Sequence, residues 1–149
     1  MKKITFVCTG NICRSPLAEA IMRHLSPSFI CSSSGIEGYH RGEKPDYRAI
    51  KIAEKRGISM EGITSKQITV KDLEENDYIF AVSQKHKDKI LKYCPPELQY
   101  KVHLLLEFCK IPNNWNNEIK DPYYGTDDDF EEVFDIILEA CQKLKEIIK

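Results

Sequence analysis

A short apolar run, a polar loop and a helical pattern follow one another at the start of the chain. The run 4–7 is mostly β-branched or aromatic, as in a buried parallel strand. After the loop Cys8–Ser15, apolar residues recur at helical spacing over 17–25, with Ser15 as the predicted N-cap and Pro16 as the first helical residue. A strand that passes straight into a helix is the repeating unit of α/β proteins, so this stretch predicts an α/β fold.

Strand-like and helix-like segments alternate along the rest of the chain. Further strands are predicted at 29–31, 78–82 and 102–106. Further helices are predicted at 45–57, just after Thr69, at 83–93 and at 127–149. This alternation predicts one domain over 1–149, an open parallel sheet with helices on both faces and right-handed crossovers. The first loop would then lie at the carboxyl edge of the sheet, where such folds bind ligands.

The charge balance excludes several classes of partner. The chain carries 22 basic and 23 acidic side chains, a net charge of -1, so no overall field attracts nucleic acid or an anionic membrane. No segment approaches the ~18 consecutive apolar residues of a membrane span, and the first apolar run is shorter than that of a signal peptide. We expect a soluble, cytoplasmic monomer that binds neither nucleic acid nor membranes.

The cysteines and histidines indicate neither a disulfide framework nor a metal site. The six cysteines are Cys8, Cys13, Cys31, Cys94, Cys109 and Cys141. The four histidines are His24, His40, His86 and His103. The cysteine spacing is irregular and contains no Cys-x-x-Cys, and the histidines lack the spacing of metal ligands. We therefore expect free thiols, no metal and no cofactor.

The loop between the first strand and helix combines a thiol with an anion cradle. Backbone N–H groups and the helix dipole at this position can stabilise a thiolate and hold a phosphate-sized dianion, and Cys8 is the thiol that lies there. Arg14 offers a planar fork of donors to two phosphate oxygens, and Ser15 can donate its hydroxyl to the thiolate. Gly10 and Asn11 tolerate positive φ, which lets successive N–H groups converge. The loop predicts attack on phosphorus and a phosphocysteine intermediate.

Such a reaction needs a proton donor for the leaving oxygen and then a base for water. Asp121 is the best candidate, because Pro122 and Gly125 favour a fixed turn that can hold its carboxyl over the loop. The adjacent Tyr123 and Tyr124 can line a slot for a flat leaving group.

Several motifs together resemble the low-molecular-weight protein tyrosine phosphatases. They are the extended loop 8–16 with 18–20 behind it, Ser34-Gly35, Gly42-Glu43 with 45–49, and the segment 121–125. The resemblance runs over nearly the whole chain. It implies a flavodoxin-like or Rossmann-like three-layer sandwich with a four-stranded parallel sheet, and metal-free hydrolysis of phosphotyrosine and small aryl phosphates. The implied partners are phosphotyrosine proteins, with phosphate and other oxyanions as ligands or inhibitors.

The resemblance also implies roles for individual residues. Cys8 would be the nucleophile, Arg14 the phosphate clamp and Asp121 the general acid and then base. Asn11, Ser15 and Ser34 would shape the loop, and Cys13 would form a protective, reversible disulfide with Cys8. The rest of the phosphate-binding loop would be Thr9, Gly10, Asn11, Ile12, Cys13 and Ser15. The walls of the substrate crevice would be Thr9, Tyr39, Tyr123 and Tyr124.

Three positions depart from the family pattern. Tyr39 stands where members commonly have a tryptophan of the substrate crevice. Ile63 stands where a histidine of the supporting network is often found, and Ser83 where an acid follows the third strand. These changes affect the surroundings of the site but leave its nucleophile, clamp and acid in place. Trp115 has no role that we can assign.

Related activities remain as alternatives. Protein arginine phosphatases resemble this loop but carry threonine where Ile12 stands, so the apolar residue favours an aryl phosphate. Arsenate reductases of the superfamily have two further cysteines about seven residues apart near position 80, where this chain has only Cys94 and Cys109 nearby. A phosphate-binding module without catalysis would have no need of Asp121.

Overall fold

The computed structural model describes residues 1–148, and its centre is one parallel sheet. The strands are β1 (Lys3–Cys8), β2 (Ile30–Gly35), β3 (Tyr78–Ala81) and β4 (Val102–Leu104). Their order is β2-β1-β3-β4, and each neighbouring pair is parallel. The predicted four-stranded parallel α/β sheet is confirmed. The sequence order of the strands reverses direction between β1 and β3, and open α/β sheets bind ligands beyond the strand ends at this switch point.

Helices cover both faces of the sheet. They are α1 (Arg14–Leu25), α2 (Tyr47–Lys55), α3 (Val70–Glu75), α4 (Gln84–Tyr93), α5 (Leu105–Cys109) and α6 (Asp127–Ile147), with a 3-10 helix at Pro96–Lys101. Alternate residues of β1 and β3 point to opposite sides. Phe6 and Phe80 join the core under α1 and α6, whereas Val7 and Ile79 pack with Ile90 of α4. Both faces of the sheet are therefore buried.

Several helix starts follow local signals in the sequence. Thr69 and Asp72 form the predicted capping box of α3, and Ser83 caps α4 by accepting from the backbone N–H of His86. Asp127 to Asp129 occupy the first turn of α6, where acids interact favourably with the helix dipole. These signals act within four residues, so they can be recognised without tertiary information.

The fourth strand is shorter than its sequence predicts. The prediction placed a strand at 102–106, but β4 ends at Leu104 and Leu105 begins α5. Leu105 and Leu106 are fully buried, and a short apolar run buried on all sides has the same sequence pattern in a strand and in a helix. The second strand is longer than predicted, because its polar serines pair with β1 as far as Gly35.

The prediction that Ser15 caps α1 is wrong. The helix begins at Arg14, and Cys13 occupies the N-cap without a side-chain capping bond. The Ser15 hydroxyl lies instead among the polar groups of the preceding loop, 2.9 Å from the sulfur of Cys8. Ser15 is the second residue of α1, and its hydroxyl contacts the loop instead of capping the helix.

Candidate active site

The loop between β1 and α1 is shaped by one left-handed residue and two close contacts. Asn11 has a φ of 57°, a conformation that asparagine tolerates better than most residues. Gly10 does not share this positive φ. A Cβ on Gly10 would lie 2.9 Å from the ring of His40, and a Cβ on Gly35 would lie 2.6 Å from the carbonyl oxygen of Thr9. Gly35 is therefore needed where β2 approaches the loop, because the backbone of Thr9 cannot move aside, whereas a Cβ on Gly10 would displace only the side chain of His40.

Asn11 holds the loop through all of its side-chain polar atoms. Its Nδ2 donates to Ser15 Oγ at 2.8 Å and to Ser33 Oγ at 2.9 Å. Its Oδ1 accepts from the backbone N–H of Lys66 at 3.0 Å. The Ser33 hydroxyl donates in turn to Glu19 at 2.6 Å. A buried chain of hydrogen bonds therefore connects α1 and β2 with the loop.

Ser33 supplies the hydroxyl that contacts Asn11, and Ser34, which was predicted to support the loop, contacts Ser15 through its backbone. Ser34 contributes its carbonyl oxygen, which accepts from Ser15 at 3.3 Å, while its buried hydroxyl has no hydrogen-bond partner within residues 1–148. Sequence reasoning missed Ser33 and Glu19, because adjacent serines on a strand point to opposite faces and the register decides between them. Burial raises the pKa of the Glu19 carboxyl.

Cys8 ends β1 with its sulfur 2.9 Å from the Ser15 oxygen. The Ser15 hydroxyl has a single proton, and one of its lone pairs accepts from Asn11. That proton is therefore directed to the sulfur or to the more distant carbonyl of Ser34. A hydroxyl donor at this distance stabilises a thiolate over a thiol.

Cys13 lies in the same loop but has a different environment. Its side chain is buried, and desolvation, followed by the charge of Asp46, raises its pKa well above the ordinary value. Cys13 is therefore a protonated thiol at neutral pH. All six cysteines, which lie within the described residues, are free.

The guanidinium of Arg14 is buried and held from two sides. Its Nη1 donates to the carbonyl oxygen of Ile119 at 3.0 Å, and its Nη2 donates to Thr9 Oγ1 at 3.4 Å. Ile119 is itself fixed to the sheet, because its N–H donates to the carbonyl of Val82 at 2.8 Å. These bonds orient the planar group beside the loop.

Asp121 faces Arg14 from a separate turn. Its Oδ2 lies 3.6 Å from Arg14 Nη2, and its side chain is 46% exposed, against 6% for Arg14. Its Oδ1 accepts from the backbone N–H of Tyr123 at 3.1 Å, and the N–H of Gly125 donates to the carbonyl of Pro122. The carboxyl is thus fixed in direction but open to solvent.

Arg48 anchors this turn to α2. Its Nη2 donates to the carbonyl of Tyr123 at 2.8 Å and its Nη1 to that of Gly125 at 3.2 Å. Asp46 orients the guanidinium by accepting from both Nε and Nη2. No local sequence pattern joins Arg48 to the segment 121–125, since 75 positions separate it from Tyr123.

A cavity of about 380 Å³ connects these groups. Its lining is Cys8, Thr9, Gly10, Ile12, Cys13, Arg14, Tyr39, His40, Lys85, Asp121, Tyr123 and Tyr124. All predicted crevice residues are present, and His40 and Lys85 are additions that sequence reasoning missed. The rings of Tyr123 and Tyr124 stand edge to face with centroids 4.9 Å apart. Tyr39 is 74% exposed at the rim.

The structure also places a buried histidine against the loop. His86 Nε2 lies 2.7 Å from Thr9 Oγ1, and His86 Nδ1 lies 2.6 Å from Ser83 Oγ. Burial, followed by the nearby charge of Arg14, lowers the pKa of His86 to about 3. The sequence did not predict a contact between this histidine and the loop, because 77 positions separate it from Thr9.

We expect His86 to reduce stability in acid. The unfolded chain binds a proton on a histidine below pH 6.5, whereas folded His86 stays neutral to about pH 3. Stability is therefore lost as the pH falls from 6.5 towards 3, by up to about 1.4 kcal/mol per pH unit. Urea unfolding from pH 7 to pH 4 measures this slope, which should be smaller in His86→Phe. Equal slopes in the two proteins would contradict the assignment.

Within 1–148, no group of three or more histidine, cysteine, aspartate or glutamate side chains is arranged to hold a metal ion. None of the helices in that range is long and apolar enough to span a membrane.

The fold and the site together define an α/β protein of the Cys-x5-Arg phosphatase class. Cys8 and Arg14 leave the central strand in one loop, and Asp121 meets them from another. The model of the family described as low molecular weight phosphotyrosine protein phosphatase matches residues 3–149. The chain belongs to this family, which confirms the resemblance carried by its motifs.

Individual relatives cover almost the same length. The low molecular weight protein-tyrosine-phosphatase PtpA of Staphylococcus aureus is 38% identical, over 99% of this chain and 94% of its own. A protein tyrosine phosphatase from Entamoeba histolytica, solved with Hepes in the active site, is 37% identical with a TM-score of 0.90, covering 98% of this chain and 96% of its own. The YwlE arginine phosphatase, solved as a mutant with a phosphorylated active-site serine, is 25% identical with a TM-score of 0.88, covering 98% and 95%; a YwlE mutant structure comes from Bacillus subtilis.

Proposed function

We propose that this protein hydrolyses phosphotyrosine on phosphoproteins, and small aryl phosphates, through a phosphocysteine intermediate. The observation that carries the proposal is the convergence of three groups on one cavity. These are the Cys8 sulfur, the Arg14 guanidinium and the Asp121 carboxyl. Membership of a tyrosine phosphatase family supports the same reaction.

In the first step, the Cys8 thiolate attacks phosphorus. The S–P bond forms while the P–O bond to the tyrosyl oxygen breaks, and protonated Asp121 donates its proton to that oxygen. Arg14 and the loop N–H groups bind the other phosphate oxygens, whose charge is spread in the transition state. The bonds from Arg14 to Ile119 and Thr9 hold the guanidinium in place before substrate arrives.

In the second step, water attacks the phosphocysteine. Asp121, now a carboxylate, takes a proton from the water, and the S–P bond breaks to release phosphate and the Cys8 thiolate. The Ser15 hydroxyl stabilises that leaving thiolate from 2.9 Å. Solvent exposure of the Asp121 side chain, 46%, allows water to reach it.

The cavity walls favour an aryl leaving group. Tyr39 and Tyr123 offer ring surfaces to a flat substrate, and Ile12 adds an apolar contact at the mouth of the loop. Phosphate and other oxyanions are expected to bind the empty loop as competitive inhibitors. The Hepes molecule in the active site of the Entamoeba protein agrees with binding of oxyanions by this type of site.

We expect phosphotyrosine peptides to be hydrolysed faster than phosphoserine or phosphoarginine peptides of the same sequence. An aryl substrate reaches the loop between tyrosine walls, whereas the shorter phosphoserine cannot fill the slot. Initial rates with the three peptides, in the presence of EDTA, test reaction, selectivity and metal independence together. A phosphoarginine rate above the phosphotyrosine rate, or loss of activity in EDTA, would reject the proposal.

The variant Ile12→Thr sharpens this comparison. A hydroxyl in place of the apolar side chain should lower the ratio of phosphotyrosine to phosphoarginine turnover, because it favours a polar guanidino group over a ring. Ile136→Thr is the matched control, since Ile136 is a half-buried residue of α6 outside the cavity. An unchanged ratio in Ile12→Thr would show that Ile12 does not set selectivity.

A further inference from the structure

We propose that His86 is a positioning residue that holds the Thr9 hydroxyl against the Arg14 guanidinium and thereby sets the affinity of the loop for an oxyanion. The inference rests on the proposed function, because it takes Arg14 as the phosphate clamp. It assigns to Ser83, His86 and Thr9 the role of orienting the Arg14 guanidinium.

The four side chains form a continuous chain of polar contacts. Arg14 Nη2 donates to Thr9 Oγ1 at 3.4 Å. Thr9 Oγ1 lies 2.7 Å from His86 Nε2, and His86 Nδ1 lies 2.6 Å from Ser83 Oγ. Ser83 and His86 are held in the first turn of α4, where Ser83 also accepts the backbone N–H of His86. The rigid end of a helix thus determines the position of a loop hydroxyl.

The imidazole of His86 supports the contact between Thr9 Oγ1 and the Arg14 guanidinium. A guanidinium can only donate, so Thr9 Oγ1 must use a lone pair on Arg14. Thr9 is half-buried at the cavity, but the side chains of His86 and Arg14 are both more than nine-tenths buried. Loss of the imidazole therefore removes the partner of Thr9 on its buried side. His86 Nε2 either accepts the proton of the Thr9 hydroxyl or donates its own to the second lone pair of Thr9 Oγ1. In both tautomers the hydroxyl is held so that one lone pair stays directed at the guanidinium.

A neutral imidazole also suits the electrostatics. Arg14, Lys85 and Lys89 are the cations that act on His86, and a further positive charge among them would repel the guanidinium. Ser83 is an uncharged partner and does not favour the imidazolium. The ring therefore orients Thr9 without changing the charge that an oxyanion meets.

A double-mutant cycle tests the inference. We expect Thr9→Val and His86→Phe each to raise the dissociation constant of orthovanadate about 5-fold, the effect of one lost hydrogen bond. The double variant should show about the same 5-fold loss, because both changes remove one interaction. The KM for p-nitrophenyl phosphate should rise in parallel with little change in kcat, since ground-state and transition-state phosphate lose the same contact.

Amide substitutions separate positioning from packing. The longer side chain of His86→Gln can place an amide near the position of Nε2 and restore the contact with Thr9, whereas His86→Asn can replace only Nδ1. We expect vanadate affinity near the wild-type value in the first and the 5-fold loss in the second. His103→Phe is the matched control, because its ring packs against Phe80 and Phe108.

The outcomes are decisive in either direction. A rise of about 25-fold in the vanadate dissociation constant of the double variant would show that His86 acts independently of Thr9 and would overturn the inference. Wild-type vanadate affinity in His86→Phe would overturn it as well. If His86→Phe does not fold, the cycle is run with His86→Asn. Calorimetric binding of vanadate needs no turnover, so a protein that shows the coupling without hydrolysing phosphotyrosine would contradict only the proposed function.

Discussion

Replacement of Cys8 by serine should abolish hydrolysis of p-nitrophenyl phosphate while phosphate binding persists. A serine hydroxyl is far less acidic than a thiol, and a neutral hydroxyl is a poor nucleophile without a base beside it. Its neighbour Ser15 is a hydroxyl at 2.9 Å and cannot serve as that base. The expected loss in kcat is ~10⁴-fold or more, as for other enzymes that lose their nucleophile.

Binding should survive because the variant keeps the rest of the loop. Arg14 and Asn11 retain their hydrogen bonds, none of which uses the Cys8 sulfur. Calorimetric titration with phosphate measures binding, and intact mass spectrometry shows whether the new serine carries a covalent phosphoryl group. Cys94→Ser is the matched control, since its thiol donates only to the carbonyl of Pro95. Turnover retained in Cys8→Ser would sink the assignment of the nucleophile.

Replacement of Asp121 by alanine should slow turnover by ~10²- to 10⁴-fold, the usual contribution of one positioned acid or base. The carboxyl lies 3.6 Å from Arg14 at the edge of the cavity, within reach of an oxygen that leaves phosphorus there. The loss should be larger for phenyl phosphate than for p-nitrophenyl phosphate, because phenolate is the more basic leaving group and depends more on a proton.

Asp121→Asn separates proton transfer from structure. Its amide oxygen can still accept the N–H of Tyr123, as Oδ1 does at 3.1 Å, but the amide neither donates a proton as an acid nor accepts one from water. It should therefore be as slow as the alanine variant. Asp128→Ala, in the first turn of α6, is the control and should keep full activity. An unchanged rate of phenyl phosphate hydrolysis in Asp121→Ala would remove this residue as the acid.

Features that depend on neighbours in the chain could be predicted from the sequence. The loop from Cys8 to Ser15 lies within one strand–helix turn, and the capping box of Thr69 and Asp72 spans four residues. Periodicity identified α6 because its apolar residues recur over 21 positions. The end of β4 could not be predicted, since Leu105 is buried on all sides and carries no periodic signal.

Contacts between distant segments escaped prediction for a different reason. Thr9 and His86 are separated by 77 positions, and Arg48 and Gly125 also by 77, so no local pattern joins them. The choice between Ser33 and Ser34 depends on strand register, which a run of adjacent serines does not reveal. The resemblance to a family named Ser34 as a support of the loop, and its carbonyl accepts from Ser15. The hydroxyl that reaches Asn11 is that of Ser33, which the resemblance did not name.

The two halves of the site are mounted on different parts of the molecule. Cys8 ends β1 and Arg14 begins α1, whereas Asp121 lies in a turn that hydrogen bonds from Arg48 connect to α2. The nucleophile and the proton donor are thus held in place by different contacts. Substitutions at Arg48 would therefore displace the proton donor more than the Cys8 sulfur, which the pairing of β1 with β2 holds in place.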